Sequence, residues 1–203
     1  MKRIIIILSV LVIYPVYAND QEQLSIANSW RYSVFVSETS FDSDLADKEL
    51  IEDSATTFGV DADYYSRRWM SSVGLEFISY DDNNGFSQLV EGTGLFNDGD
   101  VSTESSDANA FALNVATGAY WSFGARDKNL AIVQVGFSEI FNSERSIDNC
   151  DDCFKDDIDV DGGAFAKVGL VHSWSALSVG LHVKQYLSGD IDNSILISFG
   201  SGL

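Results

Sequence analysis

The sequence predicts an all-β protein: an eight-stranded antiparallel up-and-down transmembrane β-barrel. Three observations carry that expectation. Eight segments alternate apolar with small or polar residues at period two, the pattern of a strand whose two faces meet different surroundings. The links between them run long, short, long, short, long, short, short, as when strands thread a bilayer with long loops at one end and tight turns at the other. The one proline, Pro15, precedes all eight segments, so none contains a residue lacking the N–H that a strand ladder needs.

The first eighteen residues read as an export signal. Lys2 and Arg3 are followed by a ten-residue apolar run, Ile4 to Ile13, too short to cross about 30 Å of hydrocarbon as a helix. Val16-Tyr17-Ala18 supplies small residues at the two positions a signal peptidase reads, so cleavage is expected after Ala18, leaving 19–203 as a single domain. The signal holds two positive charges and no negative ones, so the formal charge of the remainder is −19 − 2 = −21. Bulk electrostatics therefore disfavours nucleic acid as a partner. Charge of this size suggests disorder only when apolar content is low, and here it is 45%, with 12% aromatic residues.

The first strand is expected near 29–37, with Trp30, Tyr32, Val34 and Val36 on one face. The second, near 55–65, sets Phe58, Val60, Ala62 and Tyr64 against Gly59, Asp61 and Asp63. The third, near 69–79, sets Trp69, Val73, Leu75 and Phe77 against Ser72, Gly74 and Glu76. The fourth, near 109–123, alternates Phe111, Leu113, Val115 and Trp121 with Ala112, Asn114, Ala116 and Tyr120. The fifth, near 130–141, opposes Val133, Val135 and Phe137 to Gln134, Gly136 and Ser138. The sixth, near 161–173, is less regular, with Val168 and Leu170 facing away from Phe165 and Lys167. Leu177, Val179, Leu181 and Val183 mark the seventh, near 176–187, and Ile195, Ile197 and Phe199 the eighth, near 192–203.

The second face decides between barrel types. A soluble sandwich would clothe its wet face in Lys, Glu and Thr. Here that face is Gly, Ala and Ser with a few charges, which suits a narrow lumen filled by side chains. Arg31, Lys167, Lys184 and His182 are expected to meet Asp61, Asp63 and Glu76 there as a mutually neutralising network. Trp30, Tyr64, Trp69, Trp121, Phe123 and Trp174 fall at strand ends near the short turns, where amphipathic rings form an interfacial girdle. The long links 38–54, 80–107 and 142–159 hold seven Asp or Glu each, 21 of the chain's 31.

This pattern resembles the small Gram-negative outer-membrane β-barrels of the OmpX and OmpA transmembrane-domain type. It is a resemblance of alternation and link length, carried by the eight segments over most of 19–203, with no diagnostic motif. It implies outer-membrane lipid and lipopolysaccharide as surroundings and insertion by the barrel-assembly machinery. It places the three acidic links outside the cell, with Ser188–Ile191 as a short fourth loop and an unidentified ligand for the loops. Members usually end on an aromatic residue, whereas this chain ends Phe199-Gly200-Ser201-Gly202-Leu203.

Candidate chemistry is sparse. Cys150-Asp151-Asp152-Cys153 reads, in an exported protein, as a small disulfide between Cys150 and Cys153. Asp157 to Gly162 matches the first half of an EF-hand loop, but the position that needs a bidentate Glu is Val168. Weak Ca2+ or Mg2+ binding by loop carboxylates is the remaining expectation, with no cofactor or resident metal. His172 and His182 have no Ser-His-acid spacing on one lipid-accessible face, so no catalysis is expected. A structural or surface-interaction role follows. The alternatives are a small channel or lipid-modifying barrel, and a soluble periplasmic lipocalin-like barrel holding an apolar ligand.

Overall fold

The computed structural model describes residues 26–67, 69–91, 101–124, 128–147 and 153–202. Eight long strands close a ring: β1 (Ser29–Phe41), β2 (Ile51–Ser66), β3 (Trp69–Asp82), β6 (Asp107–Phe123), β7 (Asn129–Ser146), β9 (Gly163–Trp174), β10 (Leu177–Tyr186) and β11 (Ile191–Ser201). Each is antiparallel to its neighbours in sequence, and β1 pairs with β11 to seal the sheet. Closure leaves no edge whose N–H and C=O groups would face lipid unpaired.

The register fixes the barrel's geometry. One row runs Ser29, Tyr65, Met70, Gly118, Gln134, Lys167, Lys184, Ser194 and returns to β1 at Thr39, ten residues further along (39 − 29). Eight strands with a shear of ten tilt by about 40°, and the interior is only wide enough for side chains.

The strands alternate as expected but run further into the long links than 29–37, 55–65, 69–79 and 130–141. Inward side chains continue there, with Thr39 and Phe41 on β1, Ile51 and Ala55 on β2, and Tyr80 on β3 all buried. β9 and β10 are slightly shorter than expected, and β11 begins one residue earlier.

The long links, read as loops from sequence, carry structure of their own. The first holds helix α1 (Ser43–Glu49), capped by Asp42, whose carboxylate accepts from the Asp44 and Leu45 N–H groups, and ended by Leu50 at φ 57°. The second contains a hairpin of β4 (Ser87–Glu91) and β5 (Val101–Ser105). In the third, β8 (Lys155–Asp157) adds a short strand against the end of β7. Among the described residues no helix is long and apolar enough to cross a membrane.

Candidate functional site: the filled lumen and its two closures

The two faces of the wall are opposite in character. Outside, Val34, Val60, Val73, Leu75, Val135, Leu170, Leu181, Ile197 and Phe199 are all exposed. Inside are Ser33, Ser37, Thr57, Ser72, Ser138, Ser178, Ser194 and Ser198, together with every charged residue expected there. Small residues make room for large ones across the narrow bore. Phe35 packs over Gly59, Asp61 over Gly74, Phe165 over Gly136 and His182 over Gly169, and a Cβ at any of these glycines would collide with that partner.

The lumen is layered. At its middle, Arg31 reaches Asp63 at 3.1 Å and also donates to Ser178 Oγ at 2.9 Å. Asp63 accepts from Ser72 Oγ at 2.5 Å, and Ser72 Oγ accepts from Gln134 Nε2 at 2.6 Å. Lys184 reaches Glu76 at 2.7 Å and Asn114 Oδ1 at 3.3 Å, with its ammonium 4.8 Å from the centre of the Phe165 ring. Lys167 stands 3.8 Å from Asp61, and His182 Nε2 lies 3.0 Å from Ser198 Oγ. Three cations thus meet three carboxylates, and a buried charge without such a partner would be costly.

Below this layer, at the short-turn end, Ile26, Tyr65, Met70, Tyr120, Leu130, Ile132 and Val171 form an apolar floor. Tyr65 and Tyr120 meet edge to face at 5.0 Å, and the Tyr120 hydroxyl donates to the Arg67 carbonyl at 2.6 Å. Above it, Phe41, Ile51, Ile78, Tyr80, Phe165, Tyr186 and Ile191 join Ala46 of α1 with Ile158 and Val160 of the third link. The structure gathers the seven residues expected of the network in the middle layer, and it adds an apolar floor and roof that the expectation did not include. Their inward residues interrupt the small-residue parity, and Tyr120 was the visible signal.

The roof is tied down by Arg145, a residue to which the sequence reading gave no role. Its side chain is 2% exposed and donates to Asp82 at 2.7 Å, Asp156 at 2.8 Å and the Glu49 carbonyl at 3.0 Å, joining all three long links. It is the one arginine in an acid-rich link, and that isolation is the signal that could have found it. Backbone bonds add to the knot: Asp42 N–H to the Asp190 carbonyl, and Asp190 N–H to the Asp161 carbonyl. On the outer surface Lys48 lies 2.8 Å from Glu49 and 3.7 Å from Asp159, and the bond to Glu49 holds its ammonium above the usual lysine range.

Asp157, Asp159 and Asp161 point outward while Ile158 and Val160 point in, so the stretch alternates instead of curling round an ion. Among the described residues no group of three metal-binding side chains comes together. Cys153 is described and not free, whereas Cys150, Arg68 and Arg126 lie outside the described residues. His172 faces outward beside Trp174, its Nδ1 2.8 Å from Asn129 Oδ1.

The girdle residues can be placed in height from the register. A residue rises about 2.5 Å along a strand at this tilt and a register row about 3 Å per strand. Trp30, Trp69 and Trp121 then fall within about 2 Å of one level, Tyr64 about 3 Å above it and Trp174 about 5 Å below. All four tryptophans are exposed on the outer surface, and Phe123 ends β6 beside them.

An apolar outside, a polar filled inside and a closed eight-stranded sheet define a transmembrane β-barrel. The fold is similar to that of Ail, the attachment invasion locus protein of Yersinia pestis, solved with the heparin analogue sucrose octasulfate (9% identity over 87% of this chain and 97% of that one, TM-score 0.49). It is also similar to Neisserial surface protein A (10% identity, 85% and 94% covered, TM-score 0.44) and to the outer membrane protein OprG from Pseudomonas aeruginosa (9%, 87% and 95%, 0.40). At such identities the likeness is one of backbone fold alone. No family model matches the chain, and no curated protein matches it.

Proposed function

We propose that the protein is an integral outer-membrane β-barrel with a structural or surface-interaction role and no catalytic one. It would be exported by a cleaved signal over 1–18 and inserted as one domain, 19–203, by the barrel-assembly machinery, with lipid and lipopolysaccharide around it. The observation that carries this reading is the facing of the wall. Val135 and Leu181 are exposed outside while Lys184 and Arg31 are buried inside, the reverse of a lipocalin, whose bulky apolar face lines a ligand cavity.

The layered lumen favours a scaffold over a channel. A cavity of about 10 Å³ lies between the charged pairs, room for about one water. What the barrel offers outward is then its knotted acidic links. Their carboxylates suit a cationic loop ligand, or weakly held Ca2+ or Mg2+ bridging them to lipopolysaccharide phosphates. A Cys150–Cys153 disulfide would stiffen the third link beside the Arg145 knot.

The test is gel mobility of the protein in washed outer membranes, with and without boiling in detergent. A heat-dependent shift is expected of a barrel that resists detergent. An unshifted protein in the soluble periplasmic fraction would overturn the reading.

A further inference from the structure

Three features meet at the centre of the lumen. The first is the Lys167–Asp61 pair: at 3.8 Å it is too long for a hydrogen bond, although the other lumen pairs close to 3.1 Å and 2.7 Å. A polar contact longer than about 3.5 Å inside a packed protein raises the question of a bridging water, which here would sit to one side of the pair. The second is the small cavity of about 10 Å³, lined by Asp61, Glu76, Asn114, Ala116, Lys167 and Lys184 among others, about one probe sphere in size. The third is the Asn114 amide. Lys184 only donates, so the Asn114 atom facing it must be Oδ1, and Nδ2, buried on the cavity wall, has no protein partner.

We propose that this cavity is a binding site for one ordered water. It would accept from Asn114 Nδ2 and from Lys167 Nζ and donate to the Asp61 carboxylate, within the two to four partners that hold a buried water. Charge supports water over an ion: Lys167 and Lys184 already balance Asp61 and Glu76, so either ion would be left uncompensated in a low-dielectric bore. The water joins the Lys167–Asp61 pair to the Lys184–Glu76–Asn114 group, turning two clusters into one hydrogen-bonded layer. With apolar floor and roof on either side, it is trapped and exchanges only when the barrel breathes.

The experiment is water-edited NMR on the full chain in lipid nanodiscs, reading magnetisation transfer from water to the Asn114 side-chain amide protons. Transfer at Asn114 is expected in the unaltered protein, and its absence while rim side chains show it would overturn the site. Ala116→Val fills the cavity and leaves Asn114, Lys167 and Asp61 in place. It should abolish the transfer while keeping the heat-dependent gel shift. Unchanged transfer at Asn114 in folded A116V would place the water elsewhere and sink the proposal. Should A116V not fold, Asn114→Asp is the second variant: it removes the amide donor and should weaken transfer to the Lys167 ammonium. Undiminished transfer there would equally count against the site.

Discussion

The barrel's two ends are closed by different means. The short-turn end is stopped by side chains of the strands themselves, Tyr65, Met70, Tyr120, Leu130 and Ile132, on strands that the register holds side by side. The loop end is stopped by chain from outside the wall, α1 and the 158–160 stretch, held by Arg145 and by backbone bonds between links far apart in sequence. Between them lies the charged layer, where Arg31 and Asp63 pair between the neighbouring strands β1 and β2 while Lys184–Glu76 and Lys167–Asp61 join strands across the bore. A floor made by neighbours is robust. A roof assembled from distant links depends on a few directional contacts, and so it is the more easily opened.

The largest expected effect tests the layer shared by both ends. Lys184→Met leaves Glu76 buried without its cation and should destabilise the barrel by about 3–5 kcal/mol in urea unfolding from lipid vesicles. The double variant K184M/E76L should recover most of that loss, since a well-packed apolar pair replaces a buried ion pair at little cost. A double variant as unstable as the single one would show that packing at these positions, not charge, holds the layer.

Next come Val135→Arg and Leu181→Arg on the outer face. Each should cost about 2–4 kcal/mol near the bilayer midplane. Normal assembly of both in membranes would contradict the facing on which the comparison of the ends depends.

Arg145→Met separates roof from floor. Removing a cation bonded to two carboxylates and a carbonyl should cost about 1–3 kcal/mol, confined to the roof. Limited proteolysis in the long links should accelerate while the heat-dependent gel shift persists. Loss of the shift as well would mean that the roof is integral to the wall.

Tyr120→Phe is the smallest. It deletes the hydroxyl bond to the Arg67 carbonyl yet keeps the ring, so about 1 kcal/mol is expected, with no change in link proteolysis. A larger loss would make that turn, and not the apolar packing, the floor's main support.

The division between legible and hidden follows the same comparison. Period-two alternation is a local property, so residues such as Val133, Val135 and Phe137 announced both a strand and the side it turns to lipid. Link length likewise exposed the threading, because a three-residue stretch such as Ser66-Arg67-Arg68 leaves the chain no route but straight back. The set of charges in the lumen followed from parity. Which of them would pair did not, since Lys184 lies 108 residues from Glu76 and a shear of ten decides who faces whom. Strand ends were set too short for a related reason. Phe41 and Ile51, at the loop ends of β1 and β2, share a buried cluster with Ala46 of α1 and Ile158, partners that only the folded links supply.

Strand number, facing and polarity of the wall are thus written in short-range patterns, each residue's side fixed by its immediate neighbours. The roof, the Arg145 knot and the pairing inside the bore arise only once the sheet closes, because each depends on contacts whose partners the chain brings together from distant links through one global register.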